Sequence, residues 1–214
     1  MLILIWTVLA SFIYCQALRY QQKIDSKQSI CLHCHNKILP WHNIPIISFI
    51  LLRGRCHDCR STINIKHLIF EIIGLVIGVL FTLHSHSIKH HLLVAVLFYL
   101  FCSDLEHQLI PDRALVILLI LNISKDVDLL SILFCLFLCV FVYLNLFGFG
   151  DVKLILVTSL GLTFYQLNLL MLTSSIITIM MMVGLTILKK TTLSTPFPFG
   201  CSWVVSFLWL SHLI

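Results

Sequence analysis

Charge is what this sequence has least of. Only 11% of its 214 residues are Asp, Glu, Lys or Arg, against roughly 25% in a soluble globular domain. That shortage excludes a water-soluble globule, because too little polar surface remains to cover one. Acids are the scarcest charge, nine in all, so the place of each is informative. No low-complexity tract and no internal repeat is apparent. The net charge of +5 comes without an aromatic-interleaved basic face, which argues against direct nucleic-acid binding. What is there instead is apolar: 59% hydrophobic residues and a mean hydropathy of +1.03. The bilayer is the solvent for most of this chain.

The pattern predicts an all-α, polytopic membrane bundle of about eight spans, with a small Cys-rich module after the first. Residues 1–18 read as a first, uncleaved span, since no basic segment precedes the apolar run and Arg19 follows it. Residues 19–66 form the one long polar stretch. Residues 67–214 read as a membrane-embedded helical domain, with helices expected near His67–Leu83, His91–Cys102, Arg113–Ile123, Leu129–Phe147, Val152–Tyr165, Asn168–Leu188 and Phe199–Ile214. Arg113–Ile123 is short for the roughly 20 residues a straight span needs. Thr191–Phe199, with Pro196 and Pro198, reads as a linker.

Positive charge sets the expected orientation. If the polar stretch is cytoplasmic, alternating spans put all of the 14 Lys and Arg inside except Lys89 and Lys125, a strong positive-inside bias. The N-terminus is then outside, in a plasma-membrane protein. Arg53, Arg55 and Arg60 hold the loop inside and suit anionic membrane lipid.

Nine cysteines divide into two groups. Five lie in apolar runs, where cysteine behaves as a small hydrophobe. The other four, Cys31, Cys34, Cys56 and Cys59, form two C-x-x-C pairs in the polar stretch. Their spacing has the form of a tetrahedral thiolate zinc site, with a gap slightly longer than usual. A cytoplasmic location keeps thiols reduced and favours metal over disulfide. His33, His35, His42 and His57 are alternative ligands, and a free or redox-active thiol set stays open as a reading.

Among the acids, Asp104 ends an apolar run and opens a stretch that reaches Pro111 and Asp112. Asp151 follows Gly148-Phe149-Gly150. In the expected topology both clusters sit at the cytoplasmic ends of spans, where a carboxylate is costly unless hydrated or paired. Two carboxylates brought close cannot both ionise cheaply, so one keeps a proton while its partner activates a water. Gly148 and Gly150 leave room for close approach, and Pro111 starts the next segment with a preset φ.

At these residues the chain resembles the type IV prepilin peptidase family, membrane aspartyl peptidases with a G-x-G-D signature. Asp104-Leu105-Glu106-His107-Gln108-Leu109-Ile110-Pro111-Asp112 is similar to the family's first catalytic motif. Gly148-Phe149-Gly150-Asp151-Val152-Lys153-Leu154 is similar to its second. The polar stretch also fits: Cys31-x-x-Cys34, then Trp41-His42-Asn43-Ile44-Pro45, then Arg53-Gly54-Arg55-Cys56-x-x-Cys59. The small size resembles Gram-positive, competence-type members. The first knuckle departs from the family pattern at Leu32 and the stretch before Glu71 departs at Lys66-His67-Leu68.

The resemblance implies removal of a short basic leader from pilin-like precursors at the cytoplasmic face, by catalytic Asp104 and Asp151. Asp112, Pro111, Gly148, Gly150 and Lys153 would be supporting residues. It further implies N-methylation of the new terminus with S-adenosylmethionine. Glu71, inside a span, is the candidate partner for the positive leader. Two other classes fit less well. A thiol oxidoreductase would want its cysteines on the oxidising side, and a proton-relay transporter would want its acids near the midplane.

Overall fold

The structure is a computed structural model that describes residues 2–22, 29–31, 33–84, 87–122, 128–144, 147–187 and 198–213. Residues 191–197 of the expected linker, with Lys23, Lys27, Lys125, Lys189 and Lys190, lie outside the described residues. Among those described the fold is all-helical, as composition and periodicity predict. The chain forms two compact units, Met1–Ser87 and Ile88–Ile214.

The first unit pairs α1 (Leu2–Gln22) with α3 (Ile65–His84). Their contact is close because α3 carries two glycines one turn apart. A Cβ built on Gly74 would collide with the Ala10 Cβ, and one on Gly78 with the Trp6 Cβ. Small residues spaced four apart let helix backbones approach where lipid offers no hydrophobic drive. Tyr14 and Phe70 stack above them, ring centroids 4.1 Å apart. A Gly74→Val variant therefore has to push the helices apart. We expect a loss of about 3 kcal/mol or failure of the pairing, read as a lowered melting temperature of the purified chain. Unchanged melting would contradict this packing.

Between these helices the described part of the polar stretch holds a 3₁₀ turn, Pro40–Asn43, and a short helix α2, Ile47–Leu51. It also contains two copies of one turn, a repeat too short to show as sequence similarity. Antiparallel bridges Ile30–Lys37 and Arg55–Thr62 flank the two C-x-x-C pairs. In each, the Cys that opens the pair takes one backbone bond in each direction. Cys31 donates its N–H to Asn36 O (3.0 Å) and its carbonyl O accepts from His35 N–H (2.9 Å); Cys56 donates its N–H to Ser61 O (2.8 Å) and its carbonyl O accepts from Arg60 N–H (3.1 Å). His35 and Arg60 close the turns in the same left-handed conformation, φ 58° in both.

The second unit contains α4 (Ile88–His107), α5 (Asp112–Asn122), α6 (Leu129–Tyr143), α7 (Phe149–Ser159), α8 (Phe164–Ile187) and α9 (Phe199–Leu213). Its core is built from Leu97, Leu100, Leu118, Ile155, Leu167 and Trp203, among others. Two of these helices, Ile88–His107 and Phe164–Ile187, are long and apolar enough to cross a membrane. Helices α5 and α7 have 11 residues each, which at 1.5 Å per residue covers about half of a 30 Å hydrocarbon core.

Several boundaries differ from expectation, among them the ends of α6 at Tyr143 and of α7 at Ser159 and the three that follow. Helix α4 runs past Cys102 through Asp104. Helix α7 begins at Phe149 and takes Asp151 into its first turn, where the helix dipole favours an acid. Helix α8 begins at Phe164 because Thr163 and Gln166 cap it reciprocally. Thr163 N–H donates to Gln166 Oε1 at 2.9 Å, and Gln166 N–H to Thr163 Oγ1 at 3.4 Å, a capping box.

Candidate functional site: two acids at converging helix ends

Four helix ends meet in the second unit: the C-terminal end of α4 and the N-terminal ends of α5, α7 and α9. The turn after α4 is tightly determined. Gln108 takes φ 54° and donates its N–H to Asp104 O at 2.8 Å. The Ser103 hydroxyl, fully buried, reaches across the same turn to Leu109 O at 2.8 Å. Pro111 is buried and begins α5 by accepting from the Ala114 and Leu115 N–H groups.

Asp104 is 4% exposed. Its Oδ2 accepts a 2.8 Å hydrogen bond from the backbone N–H of Cys201, in the first turn of α9. Gly200 makes that approach possible, since a Cβ there would stand 2.9 Å from Oδ2 and 3.1 Å from Cγ of Asp104. Asp151 lies in the first turn of α7. The glycine before that helix, Gly148, has no room for a side chain either, because its Cβ would be 2.7 Å from Asp151 Oδ2.

Ile110 locates the two acids relative to each other. It lies 3.4 Å from the Cβ position of Gly200, which abuts Asp104, and 3.5 Å from that of Gly150, which precedes Asp151. Phe147 and Phe199, at the starts of the two segments, meet edge to face with centroids 6.0 Å apart. The 46 residues between the acids are thus folded out of the way, and the pair shares one small region.

Asp112 and Lys153 are elsewhere in this arrangement. Lys153 Nζ pairs with Asp112 Oδ1 at 2.7 Å and lies over the Phe149 ring, 4.5 Å from its centroid. The ion pair joins the start of α5 to the start of α7. With Asp112 largely exposed, it contributes no more than about 1 kcal/mol.

Glu71 belongs to the first unit and is already engaged. Its Oε1 accepts from the Ser11 hydroxyl at 2.7 Å and its Oε2 from the Ile46 N–H at 2.7 Å. Ile46 has φ 63°, a costly conformation for a β-branched residue, so Glu71 holds a strained bend of the polar stretch against α1 and α3. Glu71→Ala leaves the Ile46 N–H unpaired and should destabilise the unit by about 1–3 kcal/mol. Glu71→Gln keeps an acceptor for it and should cost less than half of that. A thermal melt of both variants checks this. Equal losses would overturn it, and a raised KM in Glu71→Gln would favour a leader-binding role instead.

The four cysteines of the first unit do come together. Their sulfurs all lie within 4.8 Å of one another, and none is disulfide-bonded. Cys31 and Cys59, from opposite knuckles, have sulfurs 3.9 Å apart. A disulfide needs about 2.05 Å, whereas four sulfurs about 2.3 Å from a central zinc stand about 3.8 Å apart. The cluster could hold a metal ion. The Cys34 backbone N–H aimed at its sulfur lowers the Cys31 thiol to about 6, and the Ser61 hydroxyl, 3.0 Å away, lowers Cys59. Cys34 also has a lowering contact, from the Asn36 backbone, but burial and its hydrogen bonds to Cys59, Cys31 and Cys56 raise it to about 12. His57 is turned to Asp58 at 2.9 Å and stacks on His42.

Sequence reasoning missed Gly200 and Cys201. The helix-start signal at Pro198-Phe199-Gly200 was legible, but nothing in it says that an acid 97 positions away would dock there.

A helical chain with two acids gathered at helix ends, plus a four-thiol knuckle module, defines a class: helical proteins with a paired-aspartate site. Two family descriptions then match successive parts of it. Residues 4–85 match the bacterial peptidase A24 N-terminal domain, and residues 91–183 match the type IV leader peptidase family. The chain belongs to that family. It is 30% identical to a prepilin leader peptidase/N-methyltransferase of Legionella pneumophila, over 94% of this chain and 78% of the relative. A protein of the same description from Pseudomonas aeruginosa is 30% identical over 80% of this chain and 67% of its own length. One from Neisseria gonorrhoeae is 34% identical over 47% of this chain and 36% of its own length. No solved structure matches.

Proposed function

We propose that this chain is a membrane aspartyl endopeptidase that removes the short basic leader of type IV prepilin or pseudopilin precursors. The observation that carries the reading is the gathering of Asp104 and Asp151 around Ile110, in a chain whose relatives are named prepilin leader peptidases. The two carboxylates share one proton and one water. The ionised one removes a proton from the water, whose oxygen attacks the scissile carbonyl. The protonated one then supplies its proton to the leaving amine as the C–N bond breaks. Asp112, Pro111, Gly148, Gly150 and Lys153 shape the two turns that present the acids.

The working division keeps the first span over residues 1–18, the cysteine module over 19–66 and the peptidase over 67–214, although α3 packs with α1. We place the chain in the plasma membrane with about eight spans, the N-terminus outside and the module and acids on the cytoplasmic side, on the distribution of Lys and Arg. Membrane lipid is then a partner throughout. Structural zinc on Cys31, Cys34, Cys56 and Cys59 follows from the donor set and its sulfur spacing. Methylation with S-adenosylmethionine follows from the relatives' names alone. Glu71, the buried acid of the first unit, has both oxygens taken by Ser11 and Ile46.

The test is incubation of the full chain, in membranes, with a pilin-like precursor, followed by the mass of the product. A product shortened at the junction of leader and apolar helix supports the reading, and a further 14 Da, the mass of one methylene, would report methylation. Intact precursor, across several pilin-like substrates, would overturn it.

A further inference from the structure

We propose that the first turn of α9, through Gly200 and the backbone N–H of Cys201, is the positioning element that aims the Asp104 carboxylate for the reaction. The inference rests on the aspartyl-peptidase reading above. It concerns a part of the chain, residues 199–213, that lies beyond the 91–183 matched to the peptidase family.

The first N–H groups of any helix have no partner within it. In α9 one of them, that of Cys201, is fully engaged by Asp104 Oδ2 at 2.8 Å. The carboxylate can come so near only because residue 200 has no side chain. Helix α9 is itself fastened to both helices that bear the acids. The Cys201 thiol donates to Phe101 O of α4 at 3.3 Å, and Trp203 Nε1 donates to Thr158 Oγ1 of α7 at 3.2 Å, with Trp203 fully buried. Helix α9 is thus a strut between α4 and α7: it holds Asp104 by one atom and fixes the distance to the helix that carries Asp151. Among the described residues, Cys201 of α9 is in contact with Asp104, and Asp151 of α7 follows Gly150 on the other side of Ile110.

Gly200→Ala puts a methyl where the Asp104 carboxylate sits. Cleavage by that variant should fall ~10- to 100-fold, the effect of moving a reacting group by about an ångström, in kcat with KM unchanged. Its melting temperature should match that of Gly184→Ala, a control whose new methyl meets nothing within 4 Å and which should cleave like wild type. The pH profile of the residual cleavage should also be displaced, because a carboxylate that loses a donor ionises at a different pH. A merely structural defect lowers the amount of enzyme and leaves that profile where it was. Cys201→Pro, which replaces the N–H by a ring carbon in a helix turn that tolerates proline, should lose cleavage likewise.

If Asp104→Asn is inactive while Gly200→Ala and Cys201→Pro cleave within threefold of wild type, the aspartyl reading stands and the positioning role is overturned. The positioning role is equally overturned if Gly200→Ala lowers melting and activity together with an unmoved pH profile. If Asp104→Asn itself cleaves normally, the aspartyl reading falls, and this inference falls with it.

Discussion

Asp104→Asn and Asp151→Asn should each slow precursor cleavage at least ~1,000-fold, the upper range for loss of a positioned acid or base. Both variants should still reach the membrane in normal amount. The amide at 104 retains an oxygen that can accept the Cys201 N–H, so the 2.8 Å bond that seats this side chain survives the change. What the amide cannot do is take a proton from water or share one with Asp151. The pair acts as a unit, so the double variant should be no worse than either single, as is found where catalytic groups depend on each other. Quantifying leader-bearing and shortened precursor over time gives the three rates. A single variant within threefold of wild type removes the acid pair from the mechanism. A double variant far slower than both singles would mean that the two aspartates act in separate steps.

Much of this arrangement was legible in the sequence, and the reasons differ by element. The apolar runs reveal α3, α4, α6, α8 and α9 because lipid and core both select hydrophobic residues, whatever the tertiary contacts. The acid pair was readable because carboxylates are so few that two in glycine- and proline-marked turns stand out. The apolar pattern stops α4 at Cys102 and starts α7 at Val152, because an acid interrupts an apolar run, whereas the helices continue through Asp104 and Asp151. Asp104 stays inside α4 because α9 supplies a donor from across the unit, and no local pattern records that. Asp151 stays inside α7 because the first turn of a helix welcomes negative charge, a rule that local sequence does carry. The start of α8 was also locally encoded, in Thr163-x-x-Gln166. Gly74-x-x-x-Gly78 announces a close helix contact, yet only the fold says that Ala10 and Trp6 of α1 fill it. Glu71 shows the opposite limit. Its burial in a span suggested a role with a charged leader, and the structure occupies both oxygens with Ser11 and Ile46.

Removing the proposed zinc should have the other large effect, and it should appear in the first unit. Between its bridges the polar stretch has little core of its own: Leu39, Trp41, Ile44, Ile47, Ile50 and Leu51 are all exposed. Its order then depends on Glu71 at one point and on the two knuckles, whose sulfurs already stand at zinc-like spacing. Structural zinc contributes about 10–16 kcal/mol to small thiolate domains at neutral pH, far more than the hydrogen bonds of the knuckles could supply. The chain purified under reducing conditions should therefore carry about one zinc. Cys31→Ser and Cys56→Ser should each carry under a tenth of that, and proteolysis between residues 29 and 63 should become at least ~10-fold faster. Acid should release the metal as well, since only thiolates ligate it and protons compete for every sulfur as pH falls. Elemental analysis and limited proteolysis read these outcomes. Four alkylatable thiols, no metal and a protease-resistant Cys56→Ser would show instead that the knuckles hold themselves together. A disulfide-linked pair in the purified chain would return the module to the redox reading, at the cost of closing a Cys31–Cys59 gap of 3.9 Å.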